Sequence, residues 1–258
     1  MKMKKILNIE KISLTYHTKQ GEIKALENIT FDLDEGEFIA IIGPSGCGKT
    51  SILSIIAGLI KPSGGKVYLN GEEVKNPSSS IGYMLQRDQL FPWRTIEKNA
   101  CLPLEISGRN KDVEKRKRVE LLLKKYGLWE FRSAYPSALS GGMRQRAALI
   151  RTLASSPKLL LLDEPFSALD YQTRLSVCDD VYKIIKDEGK TAILVTHDIS
   201  EAIALADRII VLTKRPSKIL NIHQIDTDKN LSPLHRREEK VFSSWFERLW
   251  RELNYENA

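Results

Sequence analysis

The chain has 258 residues, of which 42% are hydrophobic and 28% charged, and a formal net charge of +7. That allows one large or two small domains around an ordinary globular core. It gives no apolar run near the ~18 residues of a membrane helix; the best stretch, Ile203 to Leu212, is broken by Asp207 and Arg208.

Met1 to Lys5 is basic, but polar Asn8-Ile9-Glu10-Lys11 follows where a leader would be apolar, so a cytosolic chain is expected. The positive charge fits either an anionic partner, such as nucleic acid or a membrane surface, or a solvated mixed-charge surface. Lys and Arg are interleaved with Asp and Glu, which favours the second, and no nucleic-acid partner is expected. The clearest basic cluster, Lys115 to Arg118, sits inside an amphipathic helix pattern. Cys47, Cys101 and Cys178 are far apart, lack metal-ligand spacing and read as reduced thiols.

Ile6 to Thr15 alternates apolar and polar residues and predicts a strand, with Tyr16 directly behind it. His17 to Glu22 reads as a hairpin, Ala25-Leu26 with Ile29-Phe31-Leu33 as a second strand, and Glu35-Gly36 as a turn. Phe38 to Ile42 is a short buried strand. It runs into Gly43-Pro44-Ser45-Gly46-Cys47-Gly48-Lys49-Thr50, the G-x-x-x-x-G-K-[ST] spacing of a phosphate-cradling P-loop, and Ser51 follows. Ile52, Leu53, Ile55, Ile56 and Leu59 then recur at helical spacing, and Lys61 to Gly65 ends that helix. Between a strand and a helix, such glycines turn backbone N–H groups toward one point, where the helix N-terminus adds partial positive charge. Lys49 reaches the β and γ phosphates and the Thr50 hydroxyl ligates Mg²⁺. A glycine turn with no ligand would not need that flanking strand and helix. Cys47, inside the loop, is expected to be shielded from alkylation by bound nucleotide.

Lys66 to Asn70 is a strand closed by an Asn70-Gly71 turn, and Ile81 to Leu85 is another, with Gln86 at its end. From Asp88 to Ser156 strands disappear and the apolar period becomes helical, starting at Leu90-Phe91-Pro92-Trp93. Leu159 to Leu162 resumes the core and ends on Asp163-Glu164-Pro165. Val177 to Glu188 is a helix, Thr191 to Thr196 a strand ending at His197, Ile199 to Ala206 a helix, and Arg208 to Thr213 the last core strand. From Pro216 the chain reads as a tail. Within it Val241, Phe242, Trp245, Phe246, Leu249, Trp250 and Leu253 mark one helix face, which either packs on the parent domain, the ordinary outcome, or meets a membrane or partner.

Nucleotide hydrolysis needs a phosphate cradle, a metal, a group that orients water and a stabiliser of charge on the γ-phosphate. Ligands of open α/β sheets gather at strand C-termini. Asp163, at such an end, is placed to hold Mg²⁺, and Glu164 to orient or deprotonate water; the alternative is that the two acids merely cap the next helix. Gln86 and His197, at two other strand ends, either face the same crevice or serve as local hydrogen-bonding groups. Leu139-Ser140-Gly141-Gly142-Met143-Arg144-Gln145-Arg146 opens a second helix, with Ser140 as its cap and two glycines forming a second anion nest. A single nucleotide does not obviously need both nests.

LSGGMRQR followed by LLLLDEPFSALD resembles the ATP-binding cassette (ABC) ATPases, over nearly the whole chain. The fold this implies is α/β: a P-loop NTPase core with an antiparallel β layer and an inserted α-helical subdomain. Residues 1–87 and 157–215 would form the nucleotide-binding core, 88–156 the helical signature subdomain, and 216–258 a tail with an amphipathic helix. The resemblance implies that Tyr16 stacks on adenine and that Gly43 to Ser51 hold the phosphates. It further implies Mg²⁺ at Thr50, Gln86 and Asp163, with Gln86 as the Q-loop. Ser140-Gly141-Gly142 becomes the signature and Ser167 to Asp170 the D-loop. Glu164 becomes the general base, and His197 the switch histidine on the γ-phosphate. Two chains, expected as a homodimer, would pair head to tail and sandwich two ATP, each between one P-loop and the other signature.

Gln86 to Thr95 and the tail stripe resemble the nitrate/sulfonate/taurine branch of bacterial importers. That implies separate membrane permease subunits, an extracellular solute-binding protein reached indirectly, and a peripheral place at the cytoplasmic face of the membrane. Leu90 to Trp93 would either help form the groove for a permease helix or fill the insert's own core. The P-loop ends GKT-S where GKS-T is commoner, and so keeps a hydroxyl at both positions. Two rivals are a non-transport ABC ATPase and a nucleotide-binding regulatory module. The first calls for a long coiled-coil insert or tandem cassette, and the second is opposed by Glu164 and His197. Selectivity for the solute would lie in the other subunits, so nothing in this chain names it.

Overall fold

The computed structural model describes residues 4–19 and 21–255; Met1–Met3 of the basic start, Gln20 of the predicted hairpin and the final 256–258 lie outside the described residues. The first part of the chain forms β1 (Lys5–Thr18), β2 (Gly21–Asp34), β3 (Phe38–Ile42), α1 (Lys49–Ile56), β4 (Gly64–Leu69), β5 (Glu72–Glu73) and β6 (Ile81–Met84). Residues 85–158 hold no strand and form α2 (Ile96–Ala100), α3 (Leu102–Ile106), α4 (Val113–Lys125) and α5 (Gly141–Leu153). After them come β7 (Leu159–Asp163), α6 (Tyr171–Asp187), β8 (Thr191–Val195), α7 (Ile199–Leu205), β9 (Arg208–Leu212), β10 (Ile219–Gln224), α8 (Pro233–Arg236) and α9 (Lys240–Tyr255).

Two sheets result. An antiparallel one has the order β2-β1-β4-β5, and a mixed one the order β10-β9-β3-β8-β7-β6. In the second, every neighbouring pair is parallel except β10 with β9. Its central strands are buried along their whole length, as expected of a parallel sheet covered on both faces. Alternation assigns their side chains to two cores. Phe38, Ala40, Ile42, Leu160, Leu162 and Leu194 join the core built by the helices of residues 96–205 and by α9. Ile39, Ile41, Leu159, Leu161 and Ile193 join the core shared with α1 and the antiparallel sheet. All of these parallel strands therefore bring their C-terminal ends to one edge.

Several elements differ from the sequence reading. Helix α1 stops at Ile56, and Leu59, expected on its inner face, is 58% exposed. Gly58 adopts φ +73° where a Cβ would lie 2.6 Å from the Asn76 carbonyl carbon, so the chain turns away here on the one residue that fits. Arg208 to Thr213 is not the last strand of the core, because β10 pairs antiparallel along β9, from Ile219 opposite Leu212 to Gln224 opposite Arg208. Helix α6 starts at Tyr171, well before Val177, because the Asp170 carboxylate caps it by accepting from Thr173 N at 3.0 Å.

The tail stripe divides. Phe242 and Leu249 are buried, Trp245 and Leu253 pack on the core, and Phe246 and Trp250 face outward. The tail is fastened to α7 by Arg236, which is fully buried. Its guanidinium donates to the carbonyls of Ala204, Asp228 and Lys229 and to the Tyr182 hydroxyl. The basic cluster on α4 is partly neutralised, Arg118 by Glu188 at 3.0 Å and Arg116 by Glu97 at 3.8 Å, as a mixed-charge surface requires.

Candidate functional site

The loop from β3 into α1 owes its shape to two glycines. Gly46 and Gly48 have φ of +73° and +103°, the left-handed region where other side chains are strained, and a Cβ on Gly48 would strike Leu26 at 2.8 Å. Lys49 begins α1, and its Nζ folds back to donate to the carbonyls of Gly43 (2.8 Å) and Pro44 (3.0 Å), which holds the loop in a ring. The ring borders a cleft of about 600 Å³ lined by Ser45, Gly46, Gly48, Lys49, Thr50, Ser51, Glu164 and His197. Tyr16 stands beside it, its hydroxyl 3.0 Å from Ser51 Oγ. Cys47 does not line the cleft: it is buried behind the loop with Sγ 3.9 Å from Lys49 Nζ. Burial already shields this thiol, so shielding by a ligand is not required.

Asp163 ends β7 beneath the loop. Thr50 Oγ1 donates to its Oδ1 at 3.1 Å and the Tyr83 hydroxyl to its Oδ2 at 3.3 Å. Burial pushes the Asp163 carboxyl above the usual carboxylate range. Burial and the neighbouring Asp163 push Tyr83 up to about 12. A buried carboxylate partnered by two hydroxyls, at the foot of a phosphate-type loop, is a hard-oxygen donor set that suits Mg²⁺, which takes few protein ligands and completes its shell from water and substrate phosphates. The residues present therefore fit that ion.

Glu164 is held at φ +45°, its N–H donating to Val195 O at 2.8 Å. Its Oε2 accepts from Gln86 Nε2 at 3.2 Å and lies 3.2 Å from His197 Nδ1. Gln86 also reaches Ser167 Oγ at 3.5 Å. Asp163 and Glu164 are thus not caps of the following helix, and the ends of β3, β6, β7 and β8 bring Lys49, Gln86, Glu164 and His197 together. Sequence reasoning missed Tyr83, which shows there only as an apolar strand residue.

Ser140, Gly141, Gly142 and Asp170 do not line this cleft. Ser140 Oγ accepts from Met143 N at 3.3 Å and caps α5. A Cβ on Gly142 would meet Val177 at 2.7 Å and one on Gly141 would meet Leu169 at 2.8 Å, so Gly142 is also needed for α5 to close on α6 and Gly141 for the approach of the segment that precedes α6. Leu90 is buried, while Phe91 stacks on Trp93 (centroids 5.0 Å, planes 18° apart) and Trp93 is 71% exposed. A second cleft of about 430 Å³, with Tyr83, Leu102, Leu104, Ile106 and Arg151 on its walls, opens between β6 and α3.

Comparison with known proteins places this geometry. Residues 26–167 match the sequence pattern of the family described as ABC transporter. The chain is 48% identical over 252 residues to the uncharacterized ABC transporter ATP-binding protein YtlC of Bacillus subtilis, covering 96% of this chain and 95% of that one. It is 40% identical over 252 residues to the taurine import ATP-binding protein TauB of Roseobacter denitrificans, covering 93% and 94%. To the aliphatic sulfonates import ATP-binding protein SsuB of Bacillus cereus it is 39% identical over 233 residues, covering 90% of each. Among solved structures, the ATP-binding cassette MJ0796, a dimer in a post-hydrolysis state bound to ADP and Pi, superimposes with a TM-score of 0.71 at 32% identity, over 86% of this chain and all of that one.

Proposed function

This chain belongs to the ABC transporter family as an ATP-binding subunit, and we propose that it hydrolyses ATP in a head-to-tail dimer to drive uptake of nitrate, a sulfonate, taurine or a related small solute through separate membrane subunits. The observation that carries the reading is the cleft itself. Lys49, Thr50, Glu164 and His197 line it, whereas Ser140 to Gly142, the second phosphate-type helix end, lie outside it. One chain supplies half of two sites. The taurine and aliphatic sulfonate import relatives support the importer branch, and the solved dimer supports pairing.

In this reading Tyr16 stacks on adenine, and Lys49 leaves its two carbonyls for the β and γ phosphates. Backbone N–H groups from Ser45 to Thr50, with the Ser51 hydroxyl, hold the remaining phosphate oxygens. Thr50 and Asp163, with Gln86 as a third ligand, would hold Mg²⁺, which would supply positive charge against the phosphates. Glu164 orients and deprotonates the attacking water, and His197 steadies the γ-phosphate. Ser140-Gly141-Gly142 and Asp170 of one copy close the site of the other. Residues 1–87 and 157–215, now with β10 added, form the nucleotide core; 88–156 form the signature subdomain. Trp93 and the cleft at Ile106 face the cytoplasmic loops of the permease, and the extracellular binding protein acts only through it. The chain then sits peripherally at the cytoplasmic face; among its described residues no helix is long and apolar enough to cross a membrane.

Lys49→Ala is expected to lower ATPase activity of the purified chain by at least about 100-fold, as loss of a phosphate-positioning charge does. An unaltered rate would refute the proposed site.

A further inference from the structure

Arg174, on the first turns of α6, folds back over the segment that precedes its own helix. Its Nη2 donates to the Leu169 carbonyl at 3.0 Å. Its Nη1 donates to Asp198 Oδ2 at 3.5 Å, and its Nε lies 3.9 Å from Glu201 Oε1. Those acids belong to the segment that carries His197. Asp198 follows the histidine and caps α7, with Oδ1 accepting from Ser200 N at 2.8 Å and Glu201 N at 3.2 Å. Asp198 N donates to Thr196 Oγ1 at 3.0 Å, and that hydroxyl donates to Glu201 Oε2 at 2.6 Å. His197 is therefore bracketed by Thr196 and Asp198, both tied into one network, and Arg174 is its member from another element.

The other end of Arg174 leads elsewhere. Leu169, whose carbonyl it holds, packs its side chain on Gly141, where an added Cβ would be 2.8 Å from Leu169 Cδ2. One guanidinium thus spans the segment leaning on Ser140-Gly141-Gly142 and the segment that aims His197. A planar fork of donors can hold two such partners in fixed relation, which a single ammonium cannot.

We infer that Arg174 is a positioning residue that couples the two half-sites of one chain: displacement of the Leu169 segment when a second copy engages Ser140 to Gly142 is passed through Arg174 to the Thr196–Glu201 network and re-aims His197. This rests on the head-to-tail reading above. It makes turnover at a chain's own P-loop responsive to what its signature helix has met.

The test is steady-state ATPase of the full chain for Arg174→Gln, Asp198→Asn and the double variant. Asn at 198 keeps an oxygen to cap α7 while discarding the charge that faces Arg174. Each single change is expected to lower kcat about ten-fold and leave the KM for ATP within about two-fold, and the double variant to be no slower than the slower single one, because both break the same link. Arg174→Lys, which keeps charge without the fork, is expected to restore part of kcat, and it carries the test with Asp198→Asn if Arg174→Gln does not fold. A wild-type kcat in the Arg174 variants, a change confined to KM, or a double loss equal to the product of the single losses overturns the inference. Lys49→Ala in the same assay separates the failures. An active Lys49→Ala refutes the nucleotide site itself, whereas an inactive one beside an unaffected Arg174→Gln refutes only the coupling.

Discussion

Glu201 is 3% exposed, next to a second acid, Asp198, and its nearest cation, Arg174, stands 3.9 Å away. Burial, with Asp198 adding to it, pushes its carboxyl up to about 7 from 4.5, against the Thr196 hydrogen bond and Arg174, which act the other way. The native chain therefore holds this proton more tightly than the unfolded one. That contribution to stability is complete below about pH 4.5 and is lost as pH rises through about 7. Glu201→Gln, which keeps an oxygen for Thr196 and no charge, is expected to match the wild type at pH 4. At pH 8 it should exceed it by on the order of 3 kcal/mol, measured by urea unfolding at both pH values. Equal stabilities at pH 8 would show that Glu201 ionises there without cost. Neither Glu201 nor Arg174 nor Tyr83 stands out in the sequence, because what gives each its character is a partner brought from another strand or helix. The motif residues, by contrast, are legible because P-loop chemistry depends on spacing within one short segment: Lys49 and Thr50 are next to each other in the chain and in the cleft.

The elements follow the same division. Strands β3, β7 and β8 announce themselves as unbroken apolar runs because the sheet is covered on both faces. Strand β10 does not: Asn221, His223 and Gln224 interrupt its apolar residues, as an edge strand allows, and only its pairing with β9 makes it a strand. The early end of α1 is also a tertiary matter, set by the backbone at Asn76 pressing on Gly58. Leu90 to Trp93 was open to two readings, and the fold splits it, with Leu90 in the core and Trp93 outside, stacked on Phe91. Because Trp93 is so exposed, Trp93→Ser is expected to change thermal stability by no more than about 0.5 kcal/mol, as surface changes do. If the segment receives the permease, the same change should lower solute uptake several-fold in the assembled transporter while ATPase of the isolated chain persists. Uptake at the wild-type level would remove Trp93 from the contact.

At the scale of the whole molecule, the Ser140 to Gly142 helix end lies outside the P-loop cleft, and on the proposed reading a complete site calls for two copies. Glu164→Gln is expected to leave ATP binding intact, slow hydrolysis by at least about 100-fold as loss of a general base does, and shift the chain to a dimer on size-exclusion chromatography with ATP but not with ADP. A variant that hydrolyses at the normal rate, or stays monomeric with ATP bound, would count against Glu164 as base or against the pairing. Fastening of the tail to α7 through buried Arg236 makes residues 228–236 part of the same body as the His197 segment.

The carboxylate oxygen of Glu164 that accepts from Gln86 and faces His197 is engaged on two sides. On the proposed roles, this arrangement is a safety catch. A water that enters ahead of the substrate meets a base with one of its two oxygens already spoken for. Only a ligand with a terminal phosphate able to draw Gln86 and His197 onto itself releases the catch, and it does so at the moment water is wanted. ADP lacks that phosphate, so departure of the product would reset the catch with no separate signal.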